Sequence, residues 1–213
     1  MKKLLKCFLI LTFLSIFLFN CDFVYAEKWP VYARNGLVVS TNRIASEVGV
    51  QILKKGGNAI DAAVATGFAL AVVHPAAGNI GGGGFMVIRF ADGSTTAIDY
   101  REKAPLAAHE KMYLDENGEL IKGLNHNSYF AIGVPGTVAG LTLALEKYGT
   151  MKLKDVIKPA IKLAEKGFPV SYALSQDLFE LTDTFKKYPA SAGAFLKKTE
   201  NLISQVKFLN KRI

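Results

Sequence analysis

The chain has 213 residues, half of them hydrophobic and 21% charged, enough apolar material for a substantial core and too much for a mostly disordered polymer. Its formal net charge is +8, of which Lys2, Lys3 and Lys6 against Asp22 account for two, leaving +6 over residues 27–213 with no long basic run. A surplus so diffuse, without a recognised binding module, describes a solvated surface, and nucleic acid is not an expected partner.

The first segment reads as a processing signal. "MKKLLK" is a basic start, "CFLILTFLSIFLF" is an uninterrupted apolar run, and Val24-Tyr25-Ala26 fits the positions a signal peptidase reads. The apolar run is short for a spanning helix and no basic stop-transfer cluster follows it. Cleavage after Ala26 and export to the periplasm or beyond are therefore expected, with an uncleaved anchor as the alternative. Cys21 offers a lipoprotein site, but the bulky Asn20 before it argues against that use. Cys7 and Cys21 both lie inside this leader, so residues 27–213 contain no cysteine. Disulfides, zinc–cysteine sites and a cysteine nucleophile are excluded there.

"GLVVST" (Gly36–Thr41) is expected to form a buried strand ending in capping residues. From Asn42 the period changes: Ile44, Ala45, Val48, Ile52 and Leu53 fall at helical spacing, and Gly56-Gly57 supplies a stop. Asn58 caps a second helix, Ala59–Val73, rich in alanine and with Asp61 as its only charge. A helix apolar all round and built of small residues belongs in the interior, closely approached near Gly67, and His74-Pro75 ends it. "FMVIRF" and "STTAIDY", joined through Asp92-Gly93, predict a hairpin. A looser polar segment runs from Glu102 to Ser128. Val134–Gly149 restarts helix with Pro135 near its start, and "LKDVIKPAIKLAEKGFPV" predicts another that stops at Gly167, with Pro159 interrupting it or opening its second part. The mixed order predicts an α/β layered domain.

Between the second helix and the hairpin lies "HPAAGNIGGGGFMVIR", with five glycines. A phosphate-binding fingerprint needs a strand, then glycines, then a helix whose N-terminus faces the phosphates. Here the order is helix, glycines, strand, and no Gly-Lys-Ser/Thr ending follows. Close approach of backbone to another segment, where a Cβ would clash, is the better account of the run.

"GGNAIDAAVA", "GNIGGGGFMVIR", "AIDYREKAP", "VPGTVAG" and "PAIKLAEKGFPVS" occur in this order and spacing. Together they closely resemble the large-subunit region of γ-glutamyltransferases, also called γ-glutamyltranspeptidases or glutathione hydrolases, over about residues 36–178. The resemblance implies a partial αββα sandwich of the N-terminal-nucleophile hydrolase type, in an α/β (α+β layered) class. It implies a precursor that cleaves itself into two subunits. The new N-terminal threonine of the small subunit attacks the γ-glutamyl amide of glutathione, and water or an amino-acid or peptide acceptor resolves the ester. The hydroxyl is activated by its own α-amine, so no metal or organic cofactor is implied.

Arg101, in "DYREKAP", matches the family arginine that binds the α-carboxylate of the γ-glutamyl group. A guanidinium is a planar fork that grips a carboxylate through two parallel hydrogen bonds, and the position just beyond a strand lets it leave the sheet edge. The alternative is a pair with Asp99, since residues two apart share a strand face. Other candidates carry less. Thr95-Thr96 looks like the family's paired threonines but reads as strand, and Ser204-Gln205-Val206-Lys207 lacks the companion motifs of β-lactam-binding proteins. His74, His109 and His126 show no metal-ligand spacing, and Glu47, Asp61 and Glu165 sit singly on helical segments.

The resemblance fades after about Lys198, and a divergent basic tail covers about residues 199–213. On this basis residues 1–26 are a signal peptide, and residues 27–213 are the N-terminal portion of a truncated large subunit lacking the nucleophile. Such a chain is expected to be inactive alone and to leave an apolar face open. The alternatives are one piece of a split enzyme, active with a small-subunit partner, and a non-catalytic glutamate-binding protein.

Overall fold

A computed structural model of the chain describes residues 32–77 and 80–196. The leader with its two cysteines, the Ser204–Lys207 pattern and the 199–213 tail lie outside the described residues, as do Gly78 and Asn79 of the glycine run. The chain divides after Asn35, and every element below belongs to the unit that starts at Gly36.

Helix α1 spans Arg43–Lys54 and α2 spans Ala59–Val73. Each starts on an asparagine that does two jobs. The Asn42 side chain accepts from the Ile44 N–H at 2.9 Å, and its amide donates to the Val73 carbonyl at the end of α2. Asn58 accepts from the Ile60 and Asp61 N–H groups, and its amide donates to the Tyr148 carbonyl at 2.7 Å. A cap that satisfies its own helix thereby also satisfies a neighbour's C-terminal carbonyl.

Strands β1 (Phe85–Arg89) and β2 (Thr95–Asp99) pair antiparallel, with Phe85 opposite Asp99 and Ile88 opposite Thr96. Gly93, at φ +86°, makes the turn between them, as Asp92-Gly93 predicts. A short 3₁₀ turn at Tyr129–Ala131 precedes α3 (Thr137–Tyr148), followed by α4 (Leu153–Lys166), α5 (Tyr172–Glu180), α6 (Thr182–Lys186) and α7 (Pro189–Phe195).

The core is organised round α2, which packs against α1, α3 and α4. Its alanines let these neighbours come close: Ala62, Val64, Ala65, Phe68, Ala69 and Val73 are all buried. A Cβ on Gly67 would come within 3.1 Å of the Leu141 side chain of α3, a tight contact that the glycine avoids. Ala45, Val48 and Ile52 of α1 and Val156, Ala160 and Ala164 of α4 supply the facing stripes at helical spacing. Ile88 and Ile98 carry one face of the hairpin into the same core.

Two expectations fail. Gly36–Thr41 forms no strand: Leu37 and Val39 are 60% and 80% exposed, and Val38 alone packs against the core. An apolar β-branched run becomes a strand when a neighbouring strand completes its hydrogen bonds, and among the described residues none lies beside it. Pro159 neither interrupts α4 nor opens a second helix; it sits inside a continuous one. The Pro159 nitrogen cannot donate to Asp155, but the buried Val156–Ala160–Ala164 stripe holds both halves in line.

The other face of the hairpin stays open. Phe85 and Val87 are 63% and 79% exposed, and Ala97, opposite Val87, is exposed with them. Arg89, Thr95 and Asp99 share this face, so it is mixed in character.

Candidate functional site

Arg101 lies two residues beyond β2, where three devices hold its backbone. Tyr100 extends the hairpin by one pair, its N–H donating to the Gly84 carbonyl at 3.0 Å. Lys103 forms a second bridge, exchanging hydrogen bonds with Val134 at 3.1 and 2.8 Å. Between these two anchors the Asp99 carboxylate accepts the Arg101 backbone N–H at 3.0 Å. Arg101 is thus pinned on both sides while its own side chain remains exposed.

The glycines make this possible. Tyr100 points inward and wedges between two glycine surfaces. A Cβ on Gly140 of α3 would collide with the Tyr100 ring, and one on Gly136 would collide with the Tyr100 carbonyl. On the other side a Cβ on Gly83 would lie 2.6 Å from the Tyr100 carbonyl and from the Glu102 nitrogen. Contacts that short do not occur in real structures, so only glycine lets α3 and the glycine run close on residues 100–102. Burial in this slot raises the Tyr100 hydroxyl above its ordinary pKa.

The order helix, glycines, strand stands as the sequence implies. The Gly82 carbonyl accepts from the Gly136 and Thr137 N–H groups at 2.9 and 3.1 Å. Helix α3 has no side-chain cap, and this carbonyl takes that place. The N–H groups that a phosphate would need at that helix start are therefore partly engaged inside the protein.

The Arg101–Asp99 ion pair considered as an alternative does not form. Asp99 is spent on the backbone amide, and among the described residues no carboxylate lies within 4.0 Å of the guanidinium. The guanidinium carbon instead sits 5.9 Å from the centroid of the Phe85 ring, across the strand pair from Asp99. The arrangement is a free, planar, positively charged fork at the rim of a sheet, and its chemistry suits a carboxylate.

The remaining candidates fall elsewhere. Thr95 and Thr96 are strand residues of β2, and His74 is the residue that ends α2. His109 and His126 lie in the irregular segment between the hairpin and α3. Glu47 pairs with Arg43 on the exposed side of α1.

Asp61, single on its helix in the sequence, is a tertiary junction in the fold. It is fully buried, and its carboxylate accepts from the Asn58 N–H at 2.7 Å, the Thr150 hydroxyl at 2.6 Å, the Thr150 N–H at 2.9 Å and the Met151 N–H at 3.1 Å. Burial pushes its pKa up, but the hydrogen bonds from Thr150, Asn58 and Met151 together outweigh it and leave the pKa lowered. Half of this was open to view, because Asn58-x-x-Asp61 is a capping-box spacing. The other half, the α3–α4 turn, carries no local signal.

A model of the family described as gamma-glutamyltranspeptidase matches residues 45–212. The chain belongs to the γ-glutamyltranspeptidase family. It is 56% identical over 191 residues to the glutathione hydrolase proenzyme of Pseudomonas sp. (strain A14), covering 89% of this chain and 33% of that protein. It is 52% identical over 174 residues to the glutathione hydrolase proenzyme of Escherichia coli (strain K12), covering 81% of this chain and 30% of that one. In structure it is similar to the γ-glutamyltranspeptidase of Helicobacter pylori, with a TM-score of 0.82 at 50% identity, over 86% of this chain and 52% of that one. The chain thus spans about a third of the length of these curated relatives. The family match also extends through most of the 199–213 stretch.

Proposed function

We propose that this chain is the donor-gripping part of a γ-glutamyltransferase that acts as a glutathione hydrolase, with Arg101 binding the α-carboxylate of the γ-glutamyl group. The exposed guanidinium of Arg101, free of any acid among the described residues and backed by a rigid glycine-lined turn, is the observation that supports this most directly. Two parallel N–H···O bonds from the fork orient the donor so that its γ-amide faces the nucleophile.

The nucleophile is a threonine on polypeptide outside these 213 residues, either a continuation of the chain or a second chain. Its hydroxyl oxygen attacks the γ-carbonyl carbon while its own α-amine takes the proton, the amide C–N bond breaks, and the leaving amine departs with that proton. Water or an acceptor amine then cleaves the γ-glutamyl ester. The open face of the hairpin, with Phe85, Val87 and Ala97, is where the rest of an αββα sandwich packs. The leader ending near Ala26 directs the protein out of the cytoplasm and is removed.

Two measurements test this. In the complete enzyme, Arg101→Lys keeps the charge and loses the fork, so the KM for γ-glutamyl-p-nitroanilide rises at least about tenfold, as expected for a lost charged hydrogen bond. An unchanged KM rejects the assignment. The isolated 213-residue chain releases no p-nitroaniline from the same donor, and measurable turnover by it rejects an external nucleophile.

A further inference from the structure

An arginine that binds a carboxylate works best when its long side chain is already aimed, because ordering a flexible side chain on binding subtracts from affinity. At Arg101 the two obvious partners divide between backbone and side chain. Asp99 takes the backbone N–H at 3.0 Å and leaves the fork without a competing acid. Phe85, which faces Asp99 across the strands, lies under the guanidinium at 5.9 Å. A ring attracts a cation through its face, whereas a guanidinium donates its hydrogen bonds in its own plane. The aromatic shelf therefore restrains the fork without consuming any of the N–H groups that a carboxylate needs.

We infer that Phe85 is a positioning residue for donor binding, a shelf that pre-aims the Arg101 fork while Asp99 fixes the backbone beneath it. This rests on the role given to Arg101 above. Phe85 starts β1 on the face turned away from the core that Ile88 and Ile98 enter, so this chain's own core does not call for a large ring there.

The test compares Phe85→Leu, Phe85→Tyr and Arg101→Ala in the complete enzyme, with γ-glutamyl-p-nitroanilide as donor. Phe85→Leu keeps an apolar side chain of similar bulk and removes the π face. It should raise donor KM about three- to fivefold with kcat changed less than about twofold, the size expected for an exposed cation–π contact. Phe85→Tyr restores the face and should restore KM. On an Arg101→Ala background Phe85→Leu should add nothing further, which separates action through the arginine from loss of packing.

If Arg101→Ala raises KM and Phe85→Leu does not, the shelf is refuted while the arginine keeps its role. If Arg101→Ala leaves KM unchanged, the role of the arginine fails first and the shelf with it. Equal losses from Phe85→Leu and Phe85→Tyr, carried in kcat, mean a structural residue and also overturn the inference. A second readout needs no activity: in the full chain the Arg101 side-chain NMR signals should lose an upfield ring-current shift in Phe85→Leu and keep it in Phe85→Tyr.

Discussion

Removing the Asp61 carboxylate should cost more than any other single polar change among the described residues. In the native chain it joins the start of α2 to the turn between α3 and α4, accepting from Asn58, from both the N–H and the hydroxyl of Thr150, and from Met151. A hydrogen bond to a charged group contributes about 1.5–3 kcal/mol, and contacts sharing one carboxylate do not add fully. Asp61→Ala strands three backbone N–H groups and leaves a void, for an expected loss of about 3–4 kcal/mol. Asp61→Asn keeps one acceptor oxygen but turns an amide toward donors, for about 2–3 kcal/mol. In a chain of this size each kcal/mol moves Tm by about 2–4 °C.

The pH dependence supplies the sharper check. The folded pKa of Asp61 is lowered from 3.8, so its contribution is fully present above the unfolded value and disappears as pH falls through the folded one. Urea unfolding followed by far-UV circular dichroism at pH 7, 5, 4 and 3 should show the gap between native chain and Asp61→Asn closing below about pH 4. A gap that stays constant down to pH 3 would show that the charge is not what the four donors hold. An Asp61→Ala variant within about 0.5 kcal/mol of the native chain at pH 7, the usual scatter for neutral surface changes, would refute the hub altogether.

The other expectations concern single backbone positions. Gly140→Ala drives a methyl into the Tyr100 ring and should cost about 3 kcal/mol, at the upper end for overpacking, with near-UV circular dichroism reporting a displaced tyrosine. A thermal melt unchanged by that substitution would mean that α3 does not close on Tyr100. Pro159→Ala restores a donor to the interior of α4 and should raise stability by about 1 kcal/mol, read as a higher urea midpoint; a fall would show that the proline ring packs productively. Gly93→Ala, at φ +86° with open space around it, should cost about 1–2 kcal/mol from backbone strain alone, and a neutral result would mean that the hairpin turn relaxes freely.

Much of the fold was legible because its signals are local. The asparagines at 42 and 58, the glycines at 149 and 167 and the Asp92-Gly93 turn act within four residues of themselves, so spacing alone bounded α1, α2, α3 and the hairpin. Motif strings spread over most of the chain were enough to indicate the family, and Arg101 stood out within one of them. Pairing was another matter. Whether Gly36–Thr41 became a strand depended on a neighbour that no local pattern reports, and it remained an exposed, irregular segment.

The sequence by itself indicated α1 to α4, the hairpin turn and, through the family resemblance, Arg101 as the candidate to hold a carboxylate, because these signals are local or lie in motif strings; α5, α6 and α7 were not so indicated. Tertiary structure alone decided that Asp61 meets Thr150 from 89 positions away and that glycines of two separate segments clasp Tyr100. Those outcomes turn on which surfaces come within a few ångströms once α2 is buried, a condition that no spacing along the chain encodes.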